Sequence, residues 1–485
     1  MTYTIPPRKT RSRLEPFLLT LLLIALATFP QLHAAEFDPV QLEKIAAHEM
    51  IDTNTPGAAI GIVRDGRLVW SKGLGTANIE TSQPVTSDTL FRLGSTTKMF
   101  TAAALVGLAE EGKFKLDEPV GKCIAGLHPK IAALTPHQLL THTAGLTDES
   151  VMSGRHDDAA LGLGIHAMDE TWFFTEPGQI HSYSNPGYWI AGLACEELAG
   201  KPYADVMAER LFRPLGMSRT TLRPTLAMTW PLALGHEVRG GSPAIVRPQA
   251  DNAGTWPAGQ IYSCVTDLAR FTTALLDGGR LDGQPVLSKS LIEKLTSPFV
   301  SRPGDDGHYG YGLAVSIERG VRIWQHGGSR TGYGSTIRLA PDQKLALIIL
   351  TNRSASALPK TAAAALDMLL PFEPPTETPK TSPNPLTEQE MNQLVGTYSN
   401  NRQSIELSIR EGKLMARPSV RETEGPLRVV TRTSQNHIAL TADGDNGDTP
   451  RTLTTFFIVA DPTTGRPAYL MTGSRALKRQ PNKQP

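Results

Sequence analysis

Between Arg92 and Glu110 the chain carries one charged side chain, Lys98, inside the run Gly94-Ser95-Thr96-Thr97-Lys98-Met99-Phe100-Thr101-Ala102-Ala103-Ala104-Leu105. Met99, Phe100, Ala103, Leu105, Val106 and Ala109 leave a helix here with almost no polar face. A helix apolar all round is an interior helix. Lys98 then has no path along which its ammonium can reach water. Ser95 precedes it by three positions, which puts the hydroxyl and the amine on one helix face, about 5–6 Å apart at Cβ.

A serine hydroxyl is a poor nucleophile until a neighbouring base takes its proton, and an amine is a base only when unprotonated. Burial supplies that condition. Bringing a lysine from about 10.4 to about 7 costs roughly 4.6 kcal/mol, within the range seen for buried lysines. Taken alone, Ser95 reads equally as the N-cap of the helix. The remainder of the sequence has to separate the two readings.

At 485 residues the chain exceeds what one core supports, so one large domain plus a smaller one is expected. The boundaries read as 1–34 for a secretory signal, 36–370 for the large domain, 371–387 for a linker and 388–477 for a small one. The signal reading rests on Arg8, Lys9, Arg11 and Arg13, then an apolar run from Phe17 to Phe29, then the small residues Ala34 and Ala35. That run falls short of the ~20 apolar residues of a spanning helix. A periplasmic or secreted protein is expected, with weak membrane association only if the segment stays uncleaved. Those four basic residues against Glu15 leave the rest of the chain slightly acidic, so no nucleic-acid partner is implied. Cys123, Cys195 and Cys264 are odd in number and widely spaced, which suggests neither a metal site nor a disulfide framework.

An amphipathic start from Asp38 to Met50 leads to Ala58–Arg64 and Arg67–Trp70, joined by Asp65-Gly66, a strong hairpin signal. Ser95 to about Leu276 is mostly helical and loop-rich. Strands return at Val321–Trp324, Ser335–Leu339 and Leu345–Leu350, and a helix from Leu358 to Leu370 closes the unit. The fold class is α+β: an antiparallel sheet flanked by helices, with a large helical insertion. Pro371–Pro385, dense in Pro and Thr, is an extended linker. Beyond it, six or so short strands between Ser404 and Met471 suggest a small antiparallel β-barrel without a catalytic cluster, able to cover the cleft.

Two further stretches carry candidate chemistry. In Pro177-Gly178-Gln179-Ile180-His181-Ser182-Tyr183-Ser184-Asn185, Tyr183 and Asn185 sit two apart before a helical run. A tyrosine near a lysine can relay protons and an asparagine amide can grip a substrate carbonyl; an ordinary turn with a helix cap would read the same. Tyr398-Ser399-Asn400 repeats the tripeptide but opens the strand-rich tail, and is set aside. In His326-Gly327-Gly328-Ser329-Arg330-Thr331-Gly332, read as a glycine-rich run joining two strands, backbone can approach a ligand, an amide can face an oxyanion, and His326 can bind or protonate substrate.

Together these residues resemble the serine hydrolases of the class C β-lactamase and penicillin-binding-protein type, including esterases and D-amino-acid peptidases. The resemblance spans about residues 38 to 370. It rests on Phe91-Arg92-Leu93-Gly94-Ser95-Thr96-Thr97-Lys98, Leu139-Leu140-Thr141-His142-Thr143-Ala144-Gly145-Leu146, Tyr183-Ser184-Asn185 and His326-Gly327-Gly328, in the family's order. Pro257-Ala258-Gly259 and Asp267-Leu268-Ala269-Arg270-Phe271 add a weaker likeness. The tail resembles the lipocalin-like barrel appended to some members. The resemblance implies Ser95 as acylated nucleophile, Lys98 as its base and Tyr183 as partner in proton transfer. Asn185, His326 and Gly328 would bind substrate, and the backbone N–H groups of Ser95 and Ser329 would form the oxyanion hole. His142 is assigned to packing. No cofactor or metal is expected, and the partner is a small-molecule or peptide substrate with an ester, amide or D-amino-acid peptide bond. β-Lactamases of the family usually carry Lys-Thr-Gly where this chain has His326-Gly327-Gly328, which points to the esterase and peptidase branch. A penicillin-binding protein or β-lactamase, and an inactive cell-wall or partner-binding protein, remain the alternatives.

Overall fold

The computed structural model describes residues 37–375, 384–442 and 451–481. The signal-like segment 1–34 and part of the Pro-rich linker lie outside them. Among the described residues no helix is long and apolar enough to cross a membrane.

Helix α1 (Pro39–Asp52), capped by Asp38 accepting from the Gln41 N–H at 3.0 Å, leads into strands β1 (Gly57–Arg64) and β2 (Arg67–Asn78). Asp65 and Gly66 both take positive φ, 49° and 76°, as a tight primed hairpin turn requires. After the helical insertion come β3 (Ala314–Glu318), β4 (Val321–Arg330), β5 (Tyr333–Ala340) and β6 (Leu345–Thr351). The sheet order is β3-β4-β5-β6-β1-β2, extended by two-residue strands at both edges, and every pairing is antiparallel.

Why β1 and β6 read as unbroken apolar runs is plain from the layers. Ile60, Ile62, Leu347 and Ile349 face α1 and the closing helix Pro359–Leu369, whereas Ala59, Val63, Ile348 and Leu350 face the insertion. A strand covered on both faces has no side to leave polar. Helix α2 (Thr97–Glu110) lies within the second layer, with Thr97 to Val106 all buried. It packs beside α3 (Asn185–Ala199) and α4 (Val265–Leu276). α4 crosses so close that a Cβ on Gly61 would stand 2.3 Å from Val265.

Besides the two-residue strand Thr423–Glu424, the described residues of the tail hold eight strands, two more than the sequence pattern showed. They are β7 (Gly396–Ser399), β8 (Gln403–Arg410), β9 (Lys413–Val420), β10 (Arg428–Ser434), β11 (His437–Ala442), β12 (Arg451–Ala460), β13 (Pro467–Thr472) and β14 (Arg475–Arg479). The order β8-β7-β14-β13-β12-β11-β10-β9 closes through a β8–β9 pairing into a barrel. The strands missed, β7 and β14, are four and five residues long; β7 begins with Gly396, and β14 sets only the adjacent Ala476 and Leu477 among Arg475, Lys478 and Arg479. Both are too short or too charged to show a clear period. Tyr398, in the set-aside tripeptide, is buried in the barrel core and donates to the Leu394 carbonyl at 3.0 Å.

The barrel docks on the large unit. Tyr469, Met471 and Ala476 form one apolar cluster with Phe174 and Ile180. Around it, Tyr469 Oη and Thr175 Oγ1 are 2.9 Å apart, Thr147 Oγ1 donates to Asn400 O at 2.9 Å, and Asn401 Nδ2 donates to Phe173 O at 3.0 Å.

Candidate active site

Ser95 sits in a single 3-10 turn, Gly94–Thr96, that feeds α2. The turn is fixed from outside rather than by Ser95 itself. Thr96 Oγ1 and Ser335 Oγ both donate to Leu93 O, at 2.8 and 2.6 Å. Gly94, at φ 55°, passes so near β4 that a Cβ there would lie 2.8 Å from Ser329 N. A Cβ on Gly328 would stand 1.9 Å from Leu93 O. Glycine at both positions is what lets the nucleophile turn lie against the strand.

The glycine-rich run is not a connection between strands, as the sequence suggested. His326 to Arg330 continue β4 and pair with β5 in register, Gly327 opposite Thr336 and Ser329 opposite Gly334; the turn comes only at Thr331 and Gly332. Pairing between β3 and β4 ends at Gln325. From His326 onward one edge of β4 is therefore free of strand neighbours and faces the Ser95 turn, which leaves backbone N–H groups for a ligand.

Lys98 is fully buried. Its Nζ donates to Asn185 Oδ1 at 2.6 Å and to Ala258 O at 2.7 Å. The rings of Tyr183 and Tyr188 lie 4.8 and 5.4 Å away. Burial pushes the ammonium down to about 7, against the opposing pull of the Asp148 carboxylate. A neutral amine has two N–H donors, and both have acceptors here, so its lone pair is left for a third neighbour. Tyr183, half-buried and lining the same cavity as Ser95, is driven the other way: desolvation raises its phenol far above the usual range.

Asn185 opens α3, and its N–H and Nδ2 both donate to Asp148 Oδ1, at 2.8 and 2.9 Å. His142, at φ 59°, is buried and accepts the Ser184 N–H on Nδ1 at 3.1 Å, so it holds the turn that presents Tyr183. His326 lines the cleft wall. Its Nδ1 lies 2.6 Å from Gly327 O and its Nε2 3.1 Å from Tyr309 Oη, and burial with the nearby Lys98 charge pushes it down to about 3. A neutral ring with both nitrogens engaged has no proton to give a substrate, contrary to the protonating role considered from sequence.

These groups border one cavity of about 460 Å³ that Ser95, Tyr183, Asn185, His326, Gly328 and Ser329 share. Three contributors were invisible in the sequence: the Ala258 carbonyl, Asp148, and Arg475 from the barrel. Ala258 lay in a stretch noted only for its family likeness, and Asp148 follows the Leu139–Leu146 run by two residues. Nothing in the tail's pattern singles out Arg475. Among the described residues no cluster of His, Cys, Asp or Glu could hold a metal ion, and Cys123, Cys195 and Cys264 are all unpaired.

A third buried imidazole, His181, is pushed down to about 4 by desolvation first and the Arg302 charge second. Below its ordinary value near 6.5 the unfolded chain takes up a proton that the folded one refuses. Stability present above pH 6.5 is therefore lost as the pH falls toward 4, by about 3 kcal/mol at most. His181→Phe, which keeps the ring against Tyr309, is expected to remove about 2 kcal/mol of the stability difference between pH 7 and pH 4.5 in urea unfolding.

A layered antiparallel sheet whose insertion buries a lysine one helical turn after a serine places this chain among proteins of the β-lactamase fold. The beta-lactamase family profile matches residues 42–370, and the chain belongs to that family. Protein flp of Staphylococcus aureus is 25% identical over 328 residues, which span 66% of this chain and 64% of that protein's length. The crystal structure of SurE shares the fold at a TM-score of 0.74, with 24% identity over 91% of this chain and 99% of its own. D-amino acid amidase from Ochrobactrum anthropi, solved with L-phenylalanine, matches at a TM-score of 0.56 and 25% identity over 68% of this chain and 96% of its own.

Proposed function

We propose that the protein is an exported hydrolase that forms an acyl-enzyme on Ser95 and cleaves an ester, an amide or a D-amino-acid peptide bond. One observation carries this reading: a fully buried lysine near 7 whose two amine N–H groups are already taken by Asn185 Oδ1 and Ala258 O, three residues after a serine that lines the cavity. Lys98 accepts the Ser95 proton as the oxygen attacks the substrate carbonyl. The N–H groups of Ser95 and Ser329 take the developing oxyanion. Tyr183, a neutral phenol, gives its proton to the leaving group as it takes up the one held by Lys98, so the amine and the phenol are both restored, and Asn185 orients both the amine and the substrate. Water then releases the acyl group by the same steps reversed.

The D-amino acid amidase likeness and the neutral wall at His326 favour small amide and ester substrates over penicillin-like ligands, for which a fixed charge at the His326 position would be the usual anchor. The N-terminal basic and apolar sequence supports export. Labelling the full-length protein with a fluorophosphonate, mapping the adduct by peptide mass spectrometry, and assaying p-nitrophenyl esters, D- and L-alanine p-nitroanilides and nitrocefin tests the reading. The adduct is expected on Ser95, with turnover of esters and of the D-anilide. A long-lived adduct with fluorescent penicillin, or fast nitrocefin turnover, would move the protein to the penicillin-recognising branch. Absence of any adduct would make it a binding protein.

A further inference from the structure

The hydrolase residues do not close the catalytic cleft by themselves. The turn between β13 and β14 reaches into it: Tyr183 N donates to Ser474 O at 2.8 Å and Ala476 N donates to Ser182 Oγ at 3.1 Å. The next side chain, Arg475, donates to Asp148 Oδ2 through Nε at 2.7 Å, its Nη2 is ion-paired with the same oxygen at 2.5 Å, and its guanidinium lies 5.2 Å from the centre of the Tyr183 ring. Asp148 is 6% exposed. With one oxygen it receives the barrel's arginine, and with the other it receives Asn185 twice.

A carboxylate only accepts, so the Asn185 face turned to Asp148 must be the NH2, and its Oδ1 is left for Lys98 Nζ at 2.6 Å. The contacts run without a gap from Arg475 to Asp148 to Asn185 to Lys98.

We propose that Asp148 and Arg475 act as one positioning pair across the two units, through which the barrel's β13–β14 turn sets how readily Lys98 releases its proton. This rests on Lys98 being the base proposed above. The two charges act oppositely on the amine: Asp148 favours the ammonium and Arg475 favours the free amine. The other ionisable groups facing Lys98 are held neutral or paired. Tyr183, Tyr188 and Tyr309 are phenols raised by burial, and His142 and His326 are imidazoles lowered by it. Glu149, beside Asp148, is paired with Arg402 at 3.6 Å and Arg421 at 3.0 Å, both from the barrel.

Removing either member leaves the other unopposed, so the two substitutions have opposite signs. Arg475→Gln leaves a bare carboxylate near the amine and is expected to move the acid limb of Ser95 reactivity up by about one pH unit. Asp148→Asn leaves a bare guanidinium and is expected to move it down by a similar amount, with a loss of rate as Asn185 loosens. Arg475→Lys restores the parental limb. The measurement is the second-order rate of inactivation of the full-length protein by a fluorophosphonate from pH 5 to 10, which reads Ser95 without a known substrate; circular dichroism confirms folding of each variant. Limbs that stay in place while rates fall, or that move in the same direction, would overturn the coupling and leave the pair a docking contact. A parent protein with no acid limb in this range would instead remove Lys98 as the base, and the coupling with it.

Discussion

Replacing Ser95 with alanine is expected to lower p-nitrophenyl ester turnover by about 10⁴-fold or more and to abolish fluorophosphonate labelling. The size follows from losing the acyl-enzyme route altogether, since water attacking directly keeps only what the oxyanion donors and substrate binding contribute. The substitution is a clean one. The Gly94–Thr96 turn is held by Thr96 Oγ1 and Ser335 Oγ on Leu93 O and by the close pass of Gly94 along β4, none of which uses the Ser95 side chain. Unchanged circular dichroism and thermal unfolding should accompany the loss. A variant that still turned over esters at a tenth of the parental rate would place the nucleophile elsewhere.

Much of the fold was legible because burial on two faces leaves a distinctive record. β1 and β6 read as unbroken apolar runs, Asp65-Gly66 announced its hairpin, and the absence of a polar face around Lys98 marked an interior helix, which is where α2 lies. Ser95, Tyr183 and Asn185, named from motifs within about 90 residues of each other, line one cavity, and Lys98 lies buried against Asn185. What was not legible is whatever depends on pairing across long sequence separations. The extension of β4 through His326–Arg330 is imposed by register with β5, which overrides the usual reading of consecutive glycines as a loop. His326 could be named from its neighbours, but the burial that keeps it neutral and its contacts with Gly327 O and with Tyr309, which lies two strands along the sheet, depend on the fold. Arg475 lies 327 positions from Asp148. One arginine in a short charged strand of a tail gives no local sign that it meets a carboxylate in another unit, so the barrel's share of the site had to await the three-dimensional arrangement.

Lys98→Met is expected to lower kcat/KM for ester substrates by about 10³-fold, the range for removing a positioned general base, and to flatten the pH profile. In the parent the rate should rise through a midpoint near pH 7 as the ammonium gives way to the amine, because only the amine can take the Ser95 proton. Methionine has nearly the same length and no proton to exchange, so a profile that kept its limb near 7 would assign that limb to another group. The same substitution has a stability signature of fixed sign. The folded lysine sits near 7 and the unfolded one near 10.4, so between these values the unfolded chain binds the extra proton, and the parent's stability rises with pH through that window. At pH 7 keeping the amine buried costs about 4 kcal/mol. Part of this returns on substitution and part is forfeited, because Asn185 Oδ1 and Ala258 O lose their donor. Whatever the offset, urea unfolding of parent and variant at pH 7 and pH 9.5 should show the parent gaining on the variant by about 3 kcal/mol as the pH rises. A gap that did not change with pH would mean that Lys98 is as protonated in the folded protein as in the unfolded chain, and an ammonium that keeps its proton cannot be what activates the serine.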